Sequence, residues 1–290
     1  MSRVAVVSDT TQYLPRAVIE RHGIRLVSLY VNWNGRTDRE ADLGDYDAYY
    51  DFLRSAAELP STSQPSVGDF VEVYEPLLAD GADILSIHLS GAISGTVRAA
   101  EQARDTLVER GAAAERIAVV DSRTGCAGHG FMAIAAANAA RAGGGLEEAL
   151  AAAHALRSDF KVLIAVDTLE YLRRGGRIGA ARAWIGATLK VKPILTIDGD
   201  MQPVERVRTA ARVFERLVDH LLQRRQSGCD AFAVQHIQAP EVAERLAEQG
   251  REIFGRDPEI LSEIGPVIGT HTGPGLVGVA GLRTELLGPV

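Results

Sequence analysis

The sequence predicts an α/β protein of two domains, the first built on a parallel sheet and the second on a mixed one. Three observations carry this. Apolar runs of strand length alternate with amphipathic helical stretches from Val4 onward, the order that parallel strands joined by right-handed crossovers require. A chain of 290 residues is long for one domain and ordinary for two. The turn Asp198-Gly199-Asp200 joins two strand-like runs so tightly that only an antiparallel hairpin fits, and this makes the second sheet mixed.

Taken in order, residues 4–7 are a continuous apolar run, a first strand, which stops at the polar tetrad Ser8-Asp9-Thr10-Thr11 before a helix opening near Pro15. Residues 24–31 read as a second strand and 45–57 as a helix bearing Tyr46, Tyr49, Tyr50 and Phe52. The polar, turn-rich stretch 32–44 between them reads as a surface excursion. Helix 67–79, strand 84–89, helix 95–109 and strand 117–120 follow in strict alternation. The alanine-rich block 131–156 reads as two helices broken at Gly143-Gly144-Gly145, a bridge to the second domain. Beyond it come strand 162–166, a helix to Leu172, a helix near 180–189, strands 193–197 and 202–207, helix 210–225, strand 231–236, helix 241–254 and a glycine-laced strand region at 275–282. The expected domains are therefore 1–160 and 161–290.

Composition narrows the function. At 46% hydrophobic and 24% charged residues the chain is globular, and with 6% aromatics its core is built mainly from Ala, Val, Leu and Ile. A net charge of −7, with one short basic cluster near Arg173, disfavours nucleic acid as a partner. Cys126 and Cys229 form no CxxC pair, so neither a disulfide framework nor a zinc site is indicated, and a cytoplasmic location is expected. The longest apolar stretch, 131–140, is too short to span a bilayer, and no secretory signal is expected before it.

Four motifs carry chemistry. Ser94, in Leu89-Ser90-Gly91-Ala92-Ile93-Ser94-Gly95-Thr96, sits between a strand and a helix start, where backbone N–H groups favour an anion; it reads equally well as an N-cap serine. The spacing Gly91, Ser94, Gly95 fails the Gly-x-Ser-x-Gly pattern of a nucleophile elbow. The hydroxyl-rich turn Ser61-Thr62-Ser63-Gln64-Pro65-Ser66 precedes another helix start. Gly265-Pro266-Val267-Ile268-Gly269-Thr270-His271-Thr272-Gly273-Pro274-Gly275 holds four glycines, more than a turn requires, and offers His271 as base, donor or metal ligand; with no second His or Cys beside it, metal is least favoured. Glu170-Tyr171-Leu172-Arg173-Arg174-Gly175-Gly176-Arg177-Ile178 gathers three arginines on an acidic chain, either a solvated face or a presented cluster. The sequence Gly125-Cys126-Ala127-Gly128-His129-Gly130 reverses the dinucleotide fingerprint, and no P-loop exists, so neither NAD nor ATP binding is indicated.

Ser8-Asp9-Thr10-Thr11, Thr62-Ser63-Gln64-Pro65-Ser66, Ser94-Gly95-Thr96, Asp121-Ser122, Tyr171 through Ile178, Lys192-Pro193-Ile194-Leu195 and Gly265 through Gly275, in this order, resemble the DegV family of fatty-acid-binding proteins. The resemblance implies a three-layer α/β/α N-terminal domain and a smaller α/β C-terminal domain (the EDD fold), with a long-chain fatty acid of the palmitate or oleate class in a tunnel between them. It implies that Thr62, Ser94, Gly95 and His271 bind the carboxylate, with Ser63, Thr96, Gly269 and Thr270 in the supporting loops. It also implies that a separate ATP-dependent fatty acid kinase phosphorylates the bound acid for phospholipid synthesis and meets the surface bearing Arg173, Arg174 and Arg177. A monomer without cofactor or metal is expected, free to touch a membrane surface transiently. Where the family often has Ser or Met after Asp121-Ser122, this chain has Gly125, Cys126 and Ala127, which bears on chain-length preference. The rival readings are a serine acyl hydrolase or acyltransferase using Ser94 and His271, and a sugar- or dihydroxyacetone-binding kinase subunit with a polar pocket.

Overall fold

The computed structural model describes residues 3–185 and 191–289. The chain forms two compact units, one of Met1–Tyr30, Ser63–Asp159 and Glu285–Val290, the other of Val31–Thr62 and Phe160–Thr284. In chain order β1 (Val4–Asp9), α1 (Arg16–His22) and β2 (Arg25–Val27) open the first unit. β3 (Tyr30–Trp33), β4 (Arg36–Arg39), α2 (Asp47–Ser55) and β5 (Ser61–Ser63) make up the excursion that belongs to the second. α3 (Val67–Ala79), β6 (Asp83–His88), α4 (Thr96–Glu109), β7 (Ile117–Asp121), α5 (Ala127–Arg141) and α6 (Leu146–Asp159) complete the first. β8 (Lys161–Ala165), α7 (Glu170–Arg174), β9 (Lys192–Asp198), β10 (Asp200–Val207), α8 (Ala210–Gln226), β11 (Ala231–His236), α9 (Pro240–Phe254), β12 (Ile260–Glu263), α10 (Pro266–Thr272) and β13 (Val277–Leu282) complete the second.

The first unit's sheet runs β2-β1-β6-β7, all parallel, in the register Ser8↔Ile87 and His88↔Asp121. That register aligns Asp9, His88 and Asp121 at the C-terminal ends of neighbouring strands, the edge where α/β sheets bind ligands. α3 and α4 cover one face, packing Phe70, Tyr74, Ala99, Ala103 and Leu107 on Val7 and Ile84. α5 is buried without a break from Ala127 to Asn138, so that stretch has no solvent-facing side, and its alanines and glycines allow neighbours to approach on every side.

The second unit's larger sheet runs β10-β9-β8-β13-β11-β12, antiparallel throughout except for the β11–β12 pair. Its β9–β10 hairpin turns at Gly199, whose φ of +83° favours glycine. Leu217, Leu221, Phe232, Val234, Leu246 and Val279 form the core beneath α8 and α9. A three-stranded sheet, β4-β3-β5, comes from the excursion.

The structure departs from the sequence-based expectations in several places. Beyond the single division expected at 160/161, the contact clusters interleave: residues 31–62, expected in the first domain, cluster with 160–284, and 285–290 cluster with the first unit. Long-range bonds tie the excursion there: Tyr50 donates its hydroxyl to the Ile264 carbonyl at 2.8 Å, and Glu40 Oε1 accepts the Val267 amide at 2.8 Å. The expected strand 24–31 is two strands in different sheets, because Ser28 and Leu29 between them bond elsewhere; the Leu29 amide donates to Thr10 Oγ1 at 3.2 Å. The excursion holds a hairpin at Asn34-Gly35, with φ of +47° and +75°, as a tight primed turn demands. Residues 179–184 form a short 3₁₀ helix, and the remainder of the helix expected near 180–189 falls outside the described residues from 186 on. The final glycine-rich loop contains α10, and β12 precedes it unforeseen. Among the described residues no helix is long and apolar enough to cross a membrane.

Candidate functional site

Within the second unit the structure brings together Thr62, on β5, and His271, in the last turn of α10: Thr62 Oγ1 and His271 Nε2 are 2.8 Å apart. Burial, and after it the positive charge of Arg177, push the His271 pKa down to about 4, so the ring is neutral at physiological pH. Its Nδ1 is buried without a hydrogen-bond partner among the described residues and lies where a β-carbon on Gly175 would stand. A neutral imidazole hydrogen-bonded to a hydroxyl can pass one donor onward, to an anion that accepts from the Thr62 O–H.

α10 is held from beneath. Glu40 caps its N-terminus through the Val267 amide, Thr270 donates its hydroxyl to the Pro266 carbonyl at 2.7 Å, and Tyr49 donates to Thr270 Oγ1. Burial raises the Tyr49 pKa to about 12, so it remains a neutral donor. The loop's glycines admit neighbours: Gly269 lies under the Tyr50 ring, Gly273 under Tyr171 and Gly275 under the Asp167 carboxylate. Gly269 and Thr270 are buried and act as scaffold for His271.

The arginines of α7 and its following turn part company. Arg173 pairs with Glu170 at 2.6 Å, and Arg174 donates to the Ala57 carbonyl at 3.2 Å. Arg177 donates to the Gly175 carbonyl at 2.7 Å, and its charge acts on His271. All three are exposed.

Ser94, Gly95 and Thr96 belong to the first unit, at the start of α4. Gly95, not Ser94, occupies the N-cap position; Ser94 Oγ accepts the Thr96 amide at 3.3 Å and lies 2.9 Å from Thr96 Oγ1. A β-carbon on Gly95 would stand 2.8 Å from the amide group of the exposed Gln64 side chain, which would have to move aside for any larger residue. Ser63, between Thr62 and Gln64, is the exposed last residue of β5.

A buried polar chain in the first unit escaped the sequence reading. The Tyr74 hydroxyl donates to Ser86 Oγ at 2.6 Å, Ser86 Oγ is 2.7 Å from His88 Nε2, and His88 Nδ1 is 3.0 Å from Asp9 Oδ2. Asp9 also accepts from the Thr11 amide, the Thr11 hydroxyl and the Leu89 amide. Burial works to raise the Asp9 pKa, but nearby His129 and His88 outweigh it and hold the carboxyl well below its usual range. The signal was present: Ser86 and His88 are polar positions among the apolar residues Ile84, Leu85 and Ile87 of a central strand, and a buried polar group needs a partner.

Ser86, His88 and Asp9 have the order of an acyl-transfer triad, yet all three are fully buried and Tyr74 covers the serine oxygen, so no acyl group can reach it. For the hydrolase reading, in which Ser94 acts with His271, no orienting acid bonds the ring among the described residues: His271 Nε2 is bonded to Thr62 and Nδ1 has no hydrogen-bond partner. A cleft of about 760 Å³ elsewhere in the second unit, lined in part by Lys192, Phe214, Val242 and Arg245, contains none of the predicted site residues.

A sequence model described as an uncharacterised protein of the DegV family matches residues 3–284. A DegV domain-containing protein of Streptomyces coelicolor is 41% identical over 283 residues, covering 96% of this chain and 98% of its own. Among solved structures, DegV of Bacillus subtilis, a fatty acid binding protein, superposes with a TM-score of 0.87 at 33% identity over 98% of this chain and 100% of its own. A DegV family protein from Thermus thermophilus, described for its fatty acid binding, gives a TM-score of 0.85 at 34% identity over 97% and 99%. Matched from near its first residue to near its last, the chain belongs to the DegV family.

Proposed function

We propose that this chain binds a long-chain fatty acid of the palmitate or oleate class and presents its carboxylate to a separate ATP-dependent kinase, which forms the acyl phosphate for phospholipid synthesis. It performs no turnover of its own and works in the cytoplasm as a monomer. The observation that carries this reading is the Thr62–His271 pair, a neutral donor relay between β5 and the glycine-rich stretch 265–275. His271 Nε2–H donates to Thr62 Oγ1, the Thr62 hydroxyl donates to the carboxylate, and the Ser94 hydroxyl and Gly95 amide supply further donors. The fatty acid binding of the Bacillus and Thermus relatives supports the ligand class.

The acyl chain supplies most of the affinity. Each buried methylene contributes about 0.8 kcal/mol, so a chain of about sixteen carbons outweighs the cost of ordering whereas a four-carbon acid does not. Native mass spectrometry of the purified protein is expected to show a copurified fatty acid, and delipidated protein is expected to rebind palmitate or oleate and ignore butyrate. Equal affinity for palmitate and butyrate would overturn the reading.

A further inference from the structure

The chain leaving β6 carries Ser94 and Gly95, and two carboxylates on the flanking strands grip it. On one side Asp9, the last residue of β1, accepts the Leu89 amide on Oδ2 at 3.0 Å. On the other Asp121, the last residue of β7, accepts the Gly91 amide at 3.1 Å and the Arg123 amide at 2.7 Å, both on Oδ1. Asp121 Oδ2 lies so close over Gly91 that a β-carbon there would stand 3.0 Å from it. Between these anchors the Ser90 amide donates to the Thr124 carbonyl at 2.8 Å. The loop then closes on itself, with the Ile93 and Ser94 amides both donating to the Ser90 carbonyl at 3.1 Å. Residues 89, 90 and 91 are thus fixed from outside, and 93 and 94 are fixed to 90.

We infer that Asp9 and Asp121 are positioning residues that aim the Ser94 hydroxyl and the Gly95 amide through this loop. The two carboxylates differ in a way that makes the inference sharp. Both oxygens of Asp9 accept backbone N–H donors, Thr11 on Oδ1 and Leu89 on Oδ2, so an asparagine there must turn an NH₂ group toward a donor. Asp121 accepts both of its backbone donors on one oxygen, so an asparagine can keep both bonds with its carbonyl. Asp9 cannot turn away, because His88 holds it and is held in turn by Ser86 and Tyr74. That Ser94 and Gly95 meet the ligand rests on the proposed function; that the two aspartates set the loop does not.

The test uses the full-length, delipidated protein and its Asp121→Ala, Asp121→Asn and Asp9→Asn variants, with palmitate titration and the Gly95 amide NMR shift read without ligand. Asp121→Ala is expected to move the Gly95 resonance and weaken palmitate binding about tenfold, Asp121→Asn to restore both to near wild type, and Asp9→Asn to behave like the alanine variant. A merely structural role would lower the melting temperature while leaving affinity and the Gly95 shift, both measured well below melting, unchanged. An unmoved Gly95 resonance in Asp121→Ala, or an asparagine at 121 no better than alanine, overturns the inference. Should Asp9→Asn fail to fold, the two Asp121 variants decide alone. If the wild-type protein binds no palmitate while the Gly95 shifts follow the expected pattern, the fatty-acid reading fails and the positioning stands.

Discussion

His271 Nδ1 occupies the space of the missing Gly175 side chain, so the imidazole and residue 175 cannot both keep their places if a β-carbon is added. Gly175 has φ −75° and ψ −8°, which alanine adopts freely, so the backbone does not object; only the contact does. Gly175→Ala is expected to push the imidazole off Thr62, at a cost of about 1–3 kcal/mol in stability, and to weaken fatty-acid binding. Scanning calorimetry and palmitate titration check this. Unchanged values in both would mean that the ring moves aside without consequence.

Because the folded His271 titrates near pH 4 and an unfolded histidine near 6.5, the native state favours the neutral ring. Its contribution to stability is complete above pH 6.5 and is lost as pH falls from there toward 4. Palmitate affinity is therefore expected to be flat from pH 6 to 9, and a decline across that range would show that a charged imidazole is needed. Arg177→Gln is expected to raise the His271 pKa only part of the way, since burial is the larger cause, and imidazole NMR titration reads the change.

Hydrogen bonds to a charged group are worth roughly 1.5–3 kcal/mol each, so Ser94→Ala and His271→Ala are each expected to weaken palmitate binding by about one to two orders of magnitude without unfolding the chain. Calorimetric titration decides. A hydrolase using Ser94 would instead lose turnover of an acyl ester and keep its affinity.

Arg173 and Arg174 lie exposed, and the Arg173–Glu170 pair contributes little to stability, as exposed pairs do. On the proposed function, reversing both arginines to glutamate is expected to spare palmitate binding and to slow phosphoryl transfer by the proposed partner kinase, with a salt dependence weaker than wild type. Loss of ligand binding with normal transfer would reverse the assignment.

The alternation of strands and helices was legible from Val4 onward because buried parallel strands read as unbroken apolar runs. So was the hairpin at Gly199. The excursion was not: its Asn34-Gly35 turn was in plain view, but the polar residues on either side disguised a sheet half open to solvent, and no local pattern states that 31–62 pairs with a segment 200 residues away. Thr62 and His271 stood out as members of motifs, whereas their hydrogen bond is a tertiary fact. Asp9 was visible as part of a tetrad, and Ser86 and His88 as polar positions in a buried strand, but that His88 joins Asp9 to Ser86 is a tertiary fact that no local pattern states.

The bond from the Val267 amide to Glu40 spans 227 positions, and the one from Tyr50 to the Ile264 carbonyl spans 214. During synthesis the excursion leaves the ribosome long before either partner exists, so its tyrosines, Trp33 and Glu40 wait exposed while most of the chain is made. Closing such loops is slow, and a waiting aromatic cluster is a site for chaperone capture or misassembly. Truncation before residue 264 therefore removes more than the residues beyond it: it strands the aromatic segment made about 200 residues earlier, and a fragment confined to 1–160 carries that unpaired surface permanently.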